Sequence, residues 1–140
     1  MNILKGLVVF STLTMCAPVL ADEFEQGDRK LLNFGHTLGH AIENMYELSH
    51  GQAISIGMTY ACHISEQLTG FKQTEKVVNL LSSYGLPTYA EFDKKKAFEI
   101  LQKDKKKVKA EMSYVLLNKI GKGVVKNIPL TQLKTIIESL

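Results

Sequence analysis

A mainly α domain carrying one small β-hairpin near its C-terminus is the fold class this sequence predicts, on three observations. Apolar residues recur at helical spacing through successive stretches from Arg29 onward. Two short β-prone runs, Met112 to Leu117 and Val124 to Ile128, lie around Gly121-Lys122-Gly123. The length of 140 residues, with 45% hydrophobic and 22% charged side chains, suits one globular domain.

Residues Met1 to Ala21 differ in character from the remainder of the chain. Lys5 is their only charge, Gly6 to Leu20 is mostly apolar, and Ala17-Pro18-Val19-Leu20-Ala21 ends in small residues suited to cleavage after Ala21. The segment reads as a secretory signal. Ser11, Thr12 and Thr14 interrupt a run already short for a membrane span. Met15 stands before Cys16 where a lipid-anchor site calls for a small residue. Removal of the segment leaves Cys62 alone, so no internal disulfide is expected and no membrane attachment remains.

The first helix is expected over Arg29 to Tyr46, carrying Leu32, His36, His40 and Ile42. Gly35 and Gly39 weaken it by about 1 kcal/mol each relative to alanine, and they permit close approach of another backbone or a ligand. The second, Gln52 to Leu68, is apolar on most sides through Ala53, Ile54, Ile56, Met58, Ala61, Ile64 and Leu68, which marks a central, buried helix. His63, beside Cys62 in that helix, is expected to be structural. Thr74 suits the N-cap of a third helix with Val77, Leu80, Leu81 and Tyr84 on one stripe, ended by Gly85-Leu86-Pro87. Asp93 can cap a fourth with Phe98, Ile100 and Leu101 as its apolar side. Pro129 opens a last amphipathic helix through Leu133, Ile136, Ile137 and Leu140.

The net charge of +3 is modest. Its lysines cluster in Lys94 to Lys96 and Lys103 to Lys109, with no aromatic residues interleaved to stack on bases. Such a run reads as a solvated helix end, and nucleic acid is not an expected partner.

Chemistry concentrates between Arg29 and Met58, which holds three of the four histidines. His36 and His40 lie four apart and project from one helix face, and Glu43 adds a carboxylate to that face a turn later. His50 comes after a short break at Glu47-Leu48-Ser49, from which a helix hairpin can bring it back. Two imidazoles at this spacing and a donor from a neighbouring helix suit a divalent metal, with zinc favoured by imidazole ligands. The same residues can equally be ordinary core or surface histidines. Hydrolysis of the H-E-x-x-H type is excluded, because Thr37 occupies the position of the glutamate that serves as its general base.

Arg29, Leu31-Leu32-Asn33, Gly35-His36-Thr37-x-x-His40-Ala41-x-Glu43 and His50-Gly51-x-Ala53, within Asp22 to Met58, closely resemble the C-terminal domain of 3-dehydroquinate synthase. The resemblance continues through Asp104-Lys105-Lys106 and Tyr114 to Gly121, so it covers residues 22–140. It implies the helical zinc- and substrate-binding domain of a cytoplasmic, homodimeric lyase of the shikimate pathway. That enzyme converts 3-deoxy-D-arabino-heptulosonate 7-phosphate to 3-dehydroquinate and phosphate.

By this resemblance His36 and His50 are zinc ligands, and His40 reaches the substrate near its phosphate together with Asn33. Arg29 binds the substrate's polar groups, and one lysine of Lys105-Lys106 does the same, with Lys106 favoured. A sugar acid phosphate is a polyanion, which arginine and lysine complement. The family oxidises a substrate hydroxyl with bound NAD, zinc acting as Lewis acid, before phosphate leaves and the ring recloses as a carbocycle.

Three departures qualify this expectation. No glycine-rich phosphate loop follows a strand anywhere in the 140 residues, so the family's NAD-binding domain has no counterpart. The family's third zinc ligand, a glutamate in an upstream A-E-x-I-K-like stretch, is also missing, and Gln52 replaces the glutamate common after H-G. Little or no synthase activity is therefore expected of these residues alone. Other readings are a related sugar-phosphate cyclase, an exported non-catalytic remnant whose histidines chelate metal with Glu43 as substitute carboxylate, and a piece that does not fold because apolar surface is left uncovered.

Overall fold

The computed structural model describes residues 28–103 and 110–140. The signal-like segment, together with Asp104, Lys105 and Lys106, lies outside them. The chain divides into a unit ending at Leu32 and a unit running from Asn33 to Leu140. The described part of the first begins a 3₁₀ helix, Asp28–Asn33, in which no residue is buried.

The stretch from Arg29 to Tyr46 is not the single helix its periodicity predicts. After the 3₁₀ turn the chain breaks at Gly35, where φ is +79°, and α1 runs only over His36–Met45. Glycine serves here for its left-handed backbone, and a Cβ at that position would also stand 2.6 Å from Met58 Cγ.

The second helix, α2 (His50–Thr69), begins two residues earlier than expected. A capping box explains why: Gln52 N–H donates to Ser49 Oγ at 3.4 Å and Ser49 N–H donates to Gln52 Oε1 at 3.0 Å. Gln52 thus performs the part that glutamate would perform at this position. The expected burial holds, with Ala53, Ile56, Ala61, Cys62 and Ile64 at 1% exposure or less.

Helices α1 and α2 pack backbone to backbone. A Cβ on Gly57 would overlap the Gly35 carbonyl oxygen and meet Gly39 N at 2.8 Å, while one on Gly39 would meet Ile54 Cδ1 at 2.9 Å. Position 35 thus faces 58 and position 39 faces 54. One turn further along, the same antiparallel register sets Glu43 opposite His50.

The third helix, α3 (Thr74–Ser83), starts after Gln73, whose carbonyl accepts from Lys76 and Val77 N–H, so Thr74 is its first residue and not its cap. It ends as a Schellman turn, with Gly85 N–H on Ser82 O and Leu86 N–H on Leu81 O. Its apolar stripe is only partly covered. Leu80 is 59% and Tyr84 77% exposed, and Thr74 is the only buried residue of the helix. Spacing shows that a helix has an apolar face, whereas burial needs a second layer over it.

Helix α4 (Lys94–Lys103) is capped as expected, Asp93 Oδ1 accepting from Lys95 and Lys96 N–H at 3.0 Å each. Strands β1 (Glu111–Lys119) and β2 (Lys122–Pro129) pair antiparallel and extend beyond the runs read from the sequence. The turn is Ile120-Gly121, with Gly121 at φ +82°, while Gly123 lies within β2 opposite Leu117. Pro129 precedes α5 (Leu130–Ser139), which buries Leu133, Ile136 and Ile137.

The layers meet around Leu38, Ile42, Ile56, Ile64, Met112, Tyr114, Leu116, Ile128, Leu133 and Ile137. The free edge of β1 docks on α2 through two side chains: Ser65 Oγ accepts from Leu117 N–H at 2.9 Å, and Thr69 Oγ1 donates to Leu117 O at 2.5 Å. These contacts satisfy edge groups that would otherwise be orphaned. The hairpin, α2 and α1 are thereby held as one frame under the histidines.

Cys62 lies in this core with 0% exposure, and burial, aided by the nearby charge of Glu66, pushes its thiol up from 9.0 to about 12. The folded state opposes thiolate formation, so this contribution to stability is complete below pH 9 and is lost as pH rises from 9 toward 12. In a Cys16→Ser protein at pH 8, a thiol reagent is expected to modify Cys62 only once denaturant unfolds the chain. Rapid labelling without denaturant would contradict the packing.

Candidate metal centre

His36 is the first residue of α1, His40 stands one turn later on the same face, and His50 is the first residue of α2. The helix hairpin brings all three together. Their ring centroids are 5.4, 5.6 and 5.6 Å apart, and one nitrogen from each lies within 4.8 Å of the others. A tetrahedral ion with bonds of 2.0–2.1 Å needs nitrogens roughly 3.4 Å apart. The side chain of His50 is 57% exposed, so rotation about its own bonds can close that gap. The donor set fits a divalent ion that accepts imidazole.

Two of the three rings have a fixed tautomer. His36 Nδ1 lies 3.2 Å from Phe34 O, and a carbonyl can only accept, so Nδ1 carries the proton. His50 Nδ1 lies 3.0 Å from Glu43 Oε2 and by the same argument donates to the carboxylate. In both neutral rings Nε2 is then the lone-pair nitrogen. This is the arrangement in which metal-binding histidines are held. His40 shows no such ring partner among the described residues, and its carbonyl accepts from Asn44 Nδ2 at 2.8 Å.

Beside the histidines lies a shallow cavity of about 370 Å³, lined by His36, His50, Ile54, Ser55, Met58 and Leu86 among others. Ser55 is 2% exposed, and its hydroxyl has no hydrogen-bond partner among the described residues. The histidine motif alone does not reveal this wall. Ile54, Ser55 and Met58 follow His50 by four, five and eight residues, so continuing the helical face from His50 would have found them.

The other expected site residues are placed differently. Asn33 is exposed, three residues before His36, and Arg29 is exposed on the 3₁₀ turn of the first unit. Lys105 and Lys106 lie outside the described residues. His63 pairs with Glu66 at 3.3 Å on the far part of α2.

Fold and site together define a mainly α domain with a metal-competent histidine corner between two antiparallel helices. Comparison with known proteins narrows the class. The family described as 3-dehydroquinate synthase C-terminal matches residues 2–107. The 3-dehydroquinate synthase of Streptococcus agalactiae serotype Ia is 38% identical over 126 residues, covering 86% of this chain and 36% of that protein. The Methylacidiphilum infernorum enzyme of the same name is 47% identical over 107 residues, covering 71% and 30%. The chain therefore spans about a third of the length of these relatives. Among solved structures, 2-deoxy-scyllo-inosose synthase complexed with carbaglucose-6-phosphate, NAD+ and Co2+ superposes with a TM-score of 0.62 at 26% identity, over 76% of this chain and 34% of that one. A second 2-deoxy-scyllo-inosose synthase structure gives a TM-score of 0.66 at 24% identity, covering 84% and 34%. The chain belongs to the 3-dehydroquinate synthase C-terminal family.

Proposed function

We propose that this chain supplies the metal- and substrate-binding part of a 3-dehydroquinate synthase, which turns 3-deoxy-D-arabino-heptulosonate 7-phosphate into 3-dehydroquinate and phosphate. The observation that carries the reading is the contrast among the histidines: His36 and His50 each have Nδ1 engaged by an acceptor, whereas His40 has no such partner among the described residues. His36 and His50 then hold the ion, with zinc as the proposed metal, and His40 stays available to an anionic group of the substrate. Asn33, Arg29 and the lysines Lys105 and Lys106 add polar and cationic contacts to the same polyanion.

When bound, the ion supplies Lewis-acid polarisation of a substrate hydroxyl. The chain's own residues orient and charge-balance the substrate, and the apolar wall of Ile54, Met58 and Leu86 limits water on one side. The sequence carries no glycine-rich loop of the dinucleotide-binding kind, and no hydride step is assigned to its residues. Cytoplasmic residence and a homodimer accompany this reading. The signal-like segment Met1–Ala21 favours a second one, an exported metal-binding protein without synthase activity.

The test is a chimera in which residues 22–140 replace the matching third of the Streptococcus agalactiae enzyme. It is expected to release phosphate and 3-dehydroquinate in equal amounts from the sugar acid phosphate, while the 140-residue chain alone releases neither. A different carbocycle would assign the site to another cyclase, and a folded chimera without product would leave the exported reading.

A further inference from the structure

We propose that Glu43 is a positioning residue of this site, holding His50 in the Nδ1–H tautomer so that Nε2 is its only metal-binding lone pair. The inference deepens the proposed function and rests on its reading of His50 as a ligand. Glu43 follows His36 by seven residues, two turns of α1, and therefore shares the face of both α1 histidines. The glycine contacts that pair α1 with α2 set position 43 opposite position 50, and Glu43 Oε2 lies 3.0 Å from His50 Nδ1. Among the described residues, the cluster whose donor atoms converge contains the three histidines and excludes Glu43. Its carboxylate thus stands behind His50 instead of beside it as a further ligand.

The placement matters because His50 opens its helix with its side chain 57% exposed. His36 is anchored by a main-chain carbonyl fixed in place by the Gly35 turn. Among the described residues no backbone acceptor performs that service for His50, whose ring contact is the Glu43 side chain. Without it the imidazole can place its proton on either nitrogen and swing outward, and the corner loses one of its two oriented donors.

The full 140-residue chain tests this as wild type, Glu43→Gln and Glu43→Ala. In metal-free protein at pH 8, long-range ¹H–¹⁵N correlation spectra report the His50 tautomer, and competitive titration with Co(II) reports affinity. Wild type is expected to show His50 protonated on Nδ1. Glu43→Ala is expected to give a mixture of tautomers and an affinity about 10–100-fold lower, with the Co(II) absorption bands unmoved because the ligand set is the same. Glu43→Gln, whose amide oxygen still accepts the Nδ1 proton, restores the tautomer and most of the affinity. An unchanged tautomer in Glu43→Ala overturns the proposal, and so does a shift of the Co(II) bands, which would make Glu43 a direct ligand. If wild type binds no Co(II), the metal reading fails by itself, and the tautomer still decides the role of Glu43.

Discussion

Replacing Gly57 with alanine is expected to lower the stability of the domain by about 3 kcal/mol, moving its thermal midpoint down by about 15 °C. Alanine alone would favour a helix by about 1 kcal/mol, so the loss must come from contact. A Cβ at Gly57 has three nearest neighbours, all of them backbone atoms of Gly35 and Gly39. No rotamer change can clear them, and α1 and α2 must separate along their whole length. Two controls sharpen the result. Gly39→Ala meets first the tip of the Ile54 side chain and is expected to cost less, and Gly51→Ala, with nothing within 4 Å, is expected to be neutral or mildly stabilising. Denaturant unfolding of the three variants checks the order. Equal midpoints for Gly57→Ala and Gly51→Ala would show that the helices are not in backbone contact. Because the same contact sets His36 and His40 against His50, Gly57→Ala should also weaken metal binding without touching a histidine.

This dependence shows which parts of the molecule sequence could convey. The convergence of His36, His40 and His50 was readable, because a spacing of four on one helix and a short break before the next leave few other geometries. The glycines were readable as sites of close approach, yet their two uses look alike in a sequence. Gly35 ends a turn with a left-handed backbone, whereas Gly39 and Gly57 stay helical and admit a neighbour. That ambiguity is why one helix was expected from Arg29 to Tyr46. The face of α3 shows the limit of a local pattern: Val77, Leu80, Leu81 and Tyr84 define a stripe, and nothing in their spacing says what lies across from it. Glu43 was legible as a carboxylate on the histidine face. Its direction, toward His50 Nδ1 and away from the converging nitrogens, depends on the register of two helices and appears only once they are packed.

The largest functional effect is expected from His36→Ala, which should lower the affinity for zinc or Co(II) by at least a hundredfold, about 2.7 kcal/mol or more. His40→Ala should change it by less than about threefold. Distance alone does not predict this difference, since the three rings are nearly equidistant. The argument rests on preparation. A pair of rings whose Nδ1 protons are already committed, one to Phe34 O and one to Glu43, would offer its Nε2 lone pairs to an ion with little reorganisation. His40, with no such partner among the described residues, must first settle on a tautomer, which makes it the less prepared ligand. The two histidines stand on one helix face and neither belongs to the buried core, so folding effects are expected to be similar and the comparison isolates the metal. Competitive titration of both variants against wild type decides it. If His40→Ala weakens binding as much as His36→Ala does, the centre is a three-histidine chelate, and the proposed division of labour between His36 and His40 is wrong.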